Sequence, residues 1–326
     1  MDLITKIRFE ASKLNKSIVL PETSDSRTLH AASYLANNKI CKPVLIGVEH
    51  EIKALFSKQN IPYSDFIKVI NPIDSEHLEP FAHSFFERRK TKGLTKENAL
   101  SLMQNELYFS ASLVANGFAD GCVGGAINTT GDVLKAAFQV IGMKPDSNIV
   151  SSIFLMSFSD GRVFTYGDCA VVPYPDTKQL ASIAIDSAQT HFKLTGDEPR
   201  VAMLSFSTMG SANHEKVQLV TEACRIAKQM NPKLKIDGEL QFDAALLPEI
   251  GERKAPGSQV AGFANVFIFP NLDAGNIAYK ITERLAGATA TGPIIQGLKY
   301  PMNDLSRGCS WDDIVNTAAV SVLQSA

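Results

Sequence analysis

The chain has 326 residues, 45% of them hydrophobic and 20% charged, a balance that excludes disorder and coiled coil and makes two compact cores the expected arrangement. Its formal net charge of −2 provides no overall basic field, so no nucleic-acid partner is expected. No run approaches the roughly 18 apolar residues of a spanning helix, and the opening MDLITKIRFEASKLNKS reads as an amphipathic helix rather than a signal peptide, so a cytoplasmic protein with no membrane partner is expected.

Along the chain one pattern recurs: a short β-branched run, a turn rich in Gly, Ser, Thr, Asn or Pro, and then an amphipathic stretch. Residues 17–21 (SIVLP) predict a strand before a helix over 25–37, and 43–47 (PVLIG) predict a strand before a helix over 50–59. Residues 120–124 (DGCVG) lead through INTTG into a helix over 131–142. The runs 149–157 (IVSSIFLMS) and 162–166 (RVFTY) flank FSDG, whose Asp-Gly pair predicts a hairpin turn. Further on, 200–206 leads through STMGSA into 213–230, 235–241 precedes 242–250, and 264–269 runs through PNLDAG into 276–286. Strands alternating with helices imply α/β domains with parallel sheets, and the hairpin makes the second sheet mixed. Polar GMKPDSN (142–148) and LKYP (298–301) are the expected junctions. The tail after the second is too short to fold alone, so it is either a third piece packed on a neighbour or a return to the first domain.

Five cysteines (41, 122, 169, 224 and 309) show no CxxC spacing, and six histidines show no HExxH or HxH pairing, so neither a metal site nor a disulfide framework is expected. Three turns stand where open α/β sheets bind anions, at strand ends and helix starts: Asn128-Thr129-Thr130-Gly131, Ser205 to Ala212, and Pro270 to Gly275. Each alone reads as a helix cap, and together they raise the expectation that at least one holds an anion. None carries GxGxxG or GxxxxGK[ST], and GxSxG is absent, which argues against dinucleotide, P-loop nucleotide and ordinary esterase chemistry. In PMNDLSRGCS (301–310), residue chemistry leaves Ser306 as a nucleophile, a hydrogen-bond donor or a turn residue. Ser310 and Asp313 have the spacing of a capping box, which by itself needs no functional role.

The long runs TGPIIQGLKYPMNDLSRGCSWDDIV (291–315), KAPGSQVAGFANVFIFPNLDAGNIAYK (254–280), DGELQFDAA (237–245), VAMLSFSTMGSA (201–212) and LPETSDSRTLHAA (20–32) resemble phosphate acetyltransferases of the phosphate acetyl/butyryl transferase family. The resemblance spans essentially the whole chain. It implies reversible transfer of an acetyl group between CoA and phosphate, with CoA, acetyl phosphate and phosphate as small-molecule substrates, no permanently bound cofactor, no metal, and a homodimer. It also implies two α/β domains of the isocitrate/isopropylmalate dehydrogenase-like type with the active cleft between them. The tail then returns to the first domain, giving 1–147 plus 301–326 and 148–300.

Residue by residue, the resemblance places Ser306, Arg307 and Asp313 in the catalytic group, with Asp313 as the implied base. It places Arg89, Lys135 and Arg284 among the CoA- or phosphate-binding positions, and the INTTG turn adds Asn128, Thr129 and Thr130. Related enzymes often carry arginine where this chain has Lys135, and lysine lacks the planar two-pronged contact of a guanidinium. The expected mechanism is direct thiolate attack in a ternary complex, with Ser306 as donor, since no base for its hydroxyl stands nearby in sequence and Cys309 fits packing equally well. The alternatives are a phosphate butyryltransferase, which differs in the acyl pocket, and a non-catalytic acetyl-CoA-sensing domain. A decarboxylating dehydrogenase would need a metal-binding acidic cluster that the sequence does not present.

Overall fold

Residues 2–326 are described by a computed structural model. They form two compact units, Leu3–Gly142 with Leu298–Ala326, and Met143–Gly297. The divisions fall a few residues before the expected junctions at 147/148 and 300/301. At each crossing the backbone ties back to its own unit: the Lys299 amide donates to the Gly142 carbonyl, and the Lys144 amide donates to the Gly297 carbonyl.

The first unit carries β1 (Ser17–Leu20), β2 (Lys42–Ile46), β3 (Lys68–Ile70) and β4 (Gly121–Gly124). The second carries β5 (Ser151–Ser157), β6 (Val163–Gly167), β7 (Arg200–Leu204), β8 (Lys235–Leu240), β9 (Val266–Ile268) and β10 (Thr289–Gln296), after which β11 (Met302–Asp304) joins the first sheet. That sheet runs β11-β4-β1-β2-β3 and all its pairs are parallel. The other runs β10-β5-β6-β9-β7-β8, with β5 antiparallel to both β10 and β6. The Asp-Gly hairpin is therefore present, and it makes the second sheet mixed.

Period-two alternation sorts the core of the second unit. Val201 and Met203 join Val266 and Ile268 in one buried cluster, while Ala202 and Leu204 join Phe267 and Phe269 in the other. Successive side chains thus bury on opposite faces, as a strand covered on both sides requires. In the first unit, helix Trp311–Gln324 packs against helices Leu3–Ser12 and Ser26–Asn37. Asn303 of β11 pins it by donating to Ser321 Oγ at 2.8 Å and Gln324 Oε1 at 2.7 Å.

Several elements differ from expectation. The helix predicted over 131–142 is α-helical over Thr130–Ala136 and continues as a wider π turn over Ala137–Ile141. The stretch 242–250 divides into Phe242–Leu246 and Pro248–Lys254, because Pro248 starts a new helix at its first turn. Helix Thr177–Thr195 has no counterpart in the sequence reading. Its many Ala, Ser and Thr positions are buried on most sides, so it lacks a polar face to reveal its period. Among the described residues, no helix is long and apolar enough to cross a membrane.

Candidate active site

The neighbouring parallel strands β11, β4 and β1 end at one sheet edge, and each runs into a loop holding candidate residues. Behind β1 comes Glu22, 2% exposed. Its carboxylate accepts from the backbone amides of Gly125, Ala126, Ile127 and Asn128, and from Asn128 Nδ2, at 2.7–3.1 Å. The loop after β4 is thus wrapped around an internal anion. Gly125 (φ 105°) takes a left-handed backbone there, and a Cβ on it would collide with Asp304 Oδ1 and the Leu305 backbone.

The same loop then opens a helix. Thr129 caps it, accepting from the Asp132 amide at 3.2 Å and donating to Asp132 Oδ2 at 2.6 Å. Thr130 is exposed, and its hydroxyl donates to Asp304 Oδ2 at 2.6 Å. Asp304, the last residue of β11, is 2% exposed, and its Oδ1 is buried without a hydrogen-bond partner of good geometry. Burial pushes its carboxyl up to about 6; Thr130 and the Leu305 amide pull it down, and the nearby Glu22 pushes it further up.

After β11 the chain turns through the exposed residues Ser306, Arg307 and Gly308. The Cys309 amide donates to the Ser306 carbonyl at 2.8 Å, and the Gly308 amide donates to Ser306 Oγ at 3.2 Å. Ser306 Oγ is therefore an acceptor inside the turn, and its own proton is left for a ligand. The expected capping box is formed: Ser310 Oγ accepts from the Asp313 amide at 3.1 Å, and Asp313 Oδ2 accepts from the Ser310 amide and hydroxyl at 2.8 Å each.

One guanidinium joins these loops. Arg27 Nη1 donates to the carbonyls of Arg307 and Cys309 at 2.8 Å each, and Nη2 donates to the Ala126 carbonyl at 2.8 Å. Asp25 holds the other edge of the fork at 2.6 Å, and Arg27 in turn lowers the Asp25 carboxyl. Burial pushes the Cys309 thiol up, with Arg27 opposing, so a thiolate at this position is disfavoured.

The structure thus brings Asn128, Thr129, Thr130, Ser306, Arg307 and Asp313 into one connected set of loops. Among the described residues, the other three cations form no hydrogen bond or ion pair with that set. Lys135 is exposed on the last turn of the helix that Thr129 caps. Arg89 ends helix Leu78–Arg89 with its guanidinium 5.9 Å from the Phe85 ring centroid. Arg284 belongs to the second unit, on helix Leu272–Ala286; its side chain is 80% exposed, and Glu283 approaches it at 3.4 Å.

Two of the three turns direct donors to a carboxylate of the chain itself. Asn128 directs both its amide and its Nδ2 to Glu22, so these donors serve an internal carboxylate. The Ser205–Ala212 turn does the same with buried Glu239, which accepts from Ser207 Oγ, the Gly210 amide and Thr221 Oγ1. Burial pushes Glu239 up, but those three donors together outweigh it and leave the carboxyl below its ordinary value. This turn lines an open cavity of about 670 Å³ with Met209, Val217 and Gln218. In the third turn Asn271 caps its own helix through the Ala274 amide.

Glu22, Arg27 and Asp304 were not singled out from sequence. All three stand inside the long runs LPETSDSRTLHAA and PMNDLSRGCS, and only their contacts across the sheet distinguish them from turn residues.

A family model described as phosphate acetyl/butaryl transferase matches residues 2–322. Phosphate acetyltransferase from Thermoanaerobacterium thermosaccharolyticum is 48% identical, with 100% of each chain covered, and that from Bacillus subtilis is 44% identical, with 99% of each covered. Among solved structures, the EutD phosphotransacetylase from Staphylococcus aureus aligns with a TM-score of 0.93 at 45% identity, covering 99% of this chain and 98% of that one. A phosphotransacetylase from Streptococcus pyogenes aligns with a TM-score of 0.95 at 41% identity, with the same coverage.

Proposed function

The chain belongs to the phosphate acetyl/butyryl transferase family, and on that premise we propose that it transfers an acetyl group reversibly between CoA and inorganic phosphate. The observation that carries the reading is the coupling of the 125–130 loop to the 305–310 turn through Arg27 and Asp304, which presents Ser306 and Thr130 hydroxyls beside the Arg307 turn at one sheet edge.

In the direction of thioester formation, sulfur bonds to the carbonyl carbon of acetyl phosphate, the bond from that carbon to the bridging oxygen breaks, and phosphate leaves with that oxygen and the electron pair. A free thiol has a pKa of roughly 8.5, so the site must help it lose a proton and must steady the resulting charge. Arg307 provides the cation, suited to both thiolate and departing phosphate. The Ser306 hydroxyl donates to the carbonyl oxygen as charge develops, a contact whose loss typically raises the barrier by about 3–4 kcal/mol. Asp313 belongs to the same site by capping the helix that starts directly after the Arg307 turn, and the catalytic share of its carboxylate is read from Asp313→Asn. Arg89, Lys135 and Arg284 are proposed as contacts for CoA or phosphate, and Asn128 and Thr129 as residues that shape the loop around the ligand.

CoA enters as a substrate, and no permanently bound cofactor is assigned. The resemblance also supports an isocitrate/isopropylmalate dehydrogenase-like type for the two units, a homodimer and a cytoplasmic location. The deciding test mixes purified protein, CoA and acetyl phosphate, and follows thioester absorbance, with butyryl phosphate as comparator. Thioester formation favouring the acetyl donor is expected. Tight acetyl-CoA binding without turnover would replace this reading with that of a sensor.

A further inference from the structure

The peptide between Ala126 and Ile127 is held at both ends. Its carbonyl accepts from Arg27 Nη2 at 2.8 Å, and its amide donates to Glu22 Oε1 at 3.1 Å. The next amide, of Asn128, donates to the same oxygen at 2.8 Å. Both amides that flank Ile127 are thus turned inward, to a carboxylate that is 2% exposed, and the Ile127 side chain is left 47% exposed. The backbone fixes where this side chain stands, and about half of its hydrocarbon surface stays in water. The fold gains little from that half, because only area removed from water stabilises. The same Arg27 fork places Ile127 beside the catalytic turn: one nitrogen binds the Ala126 carbonyl, and the other binds the Arg307 carbonyl at 2.8 Å.

Among the described residues 125–130 and 306–310, Ile127 carries the one exposed side chain that is pure hydrocarbon. The apolar residues beneath the turn, Leu305 and Cys309, are 5% and 8% exposed and are spent on packing. Resting on the acyl-transfer reading, we propose that Ile127 meets the alkyl end of the acyl group and sets how long a chain the site accepts. A β-branched side chain is stiff at χ1, and on a backbone pinned by Glu22 and Arg27 it forms a wall rather than a yielding surface. An acetyl methyl rests against that wall. A longer chain has to displace it or tilt the acyl carbonyl away from the Ser306 hydroxyl.

The other parts of the substrates suit this position less. A phosphate end needs donors, and the amide carbonyls along the arm of CoA need them too once they leave water. The amides of Gly125, Ala126, Ile127 and Asn128, and Asn128 Nδ2, are all directed to Glu22, so the backbone on either side of Ile127 has no donor to offer. An alkyl end asks for none. The arm of CoA also carries methylenes, but it is common to every acyl donor, so a contact with it cannot sort donors by chain length.

The test measures kcat/KM for acetyl, propionyl and butyryl phosphate with CoA, in the parent enzyme and in Ile127→Val and Ile127→Ala. The parent should prefer the acetyl donor. Ile127→Ala should lower the acetyl-to-butyryl ratio by at least about tenfold, since one methylene in a hydrophobic pocket is worth roughly 10–200-fold. Ile127→Val keeps the β-branch and should fall between the two. Ile127 is exposed and its backbone bonds do not involve the side chain, so the variants should keep the parent's Tm. A ratio within about twofold of the parent in Ile127→Ala would overturn the proposal. So would an equal loss with all three donors, which would give Ile127 to the arm of CoA, and so would a parent that uses butyryl phosphate as well as acetyl phosphate. A parent that makes no thioester from any donor sinks the acyl-transfer reading itself, which is a separate result.

Discussion

Arg27 directs three donations to carbonyls of two loops far apart in sequence, and Asp25 fixes the remaining edge of its fork. Lysine carries the same charge but cannot reproduce that geometry. Arg27→Lys should therefore lower kcat by tenfold or more while CoA KM moves less, because the Ser306–Arg307 turn loses its register, and displacements of about 1 Å can cost roughly 10²-fold. Equal kcat in the variant would show that the turn holds its shape without the fork. A second residue acts on stability alone. His191 is 0% exposed, is bonded at Nδ1 to Thr165 Oγ1 at 2.8 Å, and has no partner at Nε2. Burial lowers it from 6.5 to about 4. The unfolded chain then binds a proton below 6.5 that the folded chain refuses until about 4, so the stability that His191 contributes is whole above 6.5 and lost as pH falls toward 4. The loss approaches about 3 kcal/mol. Denaturant titrations at stepwise lower pH should show this slope in the parent and a flatter one in His191→Gln; parallel slopes would remove His191 from the account.

At the scale of elements, the turns most suggestive of anion binding already hold anions of their own. Glu22 draws four consecutive amides of the loop after β4, and Glu239 organises the loop after β7. The positive end of a turn attracts a carboxylate by the same physics that attracts a phosphate. A sequence shows the donors but not which carboxylate reaches them across a sheet. The capping box was different: Ser310 and Asp313 are local, and their spacing alone announced the start of the last helix. Asp313→Asn weakens that box and should cost about 0.5–2 kcal/mol, seen as a lower Tm. An unchanged Tm with turnover abolished would assign its carboxylate to the chemistry instead. Local signals of this kind also revealed the hairpin at 158–161 and most strand–helix units. Strand β11 stayed hidden because it is three residues long and reads Met-Asn-Asp, against ordinary strand preference. Helix Thr177–Thr195 stayed hidden because burial on most sides erased its period.

At the scale of the whole molecule, alternation of strands and helices made an α/β chain with a mixed second sheet legible, and the long shared runs identified the family. Composition could not say where Asp304 lies, since its significance comes from Thr130, on the loop after a different strand. The route of the chain has a further consequence. Met143–Gly297 is one continuous segment, whereas the first unit is interrupted and regains β11 and its last helix only from residue 298 onward. On the ribosome, the second unit can finish folding while the first still lacks an edge strand and the helix that covers Leu3–Ser12. The Ser306–Arg307 turn lies on that returning segment, so the first unit gains it only after the second has been synthesised.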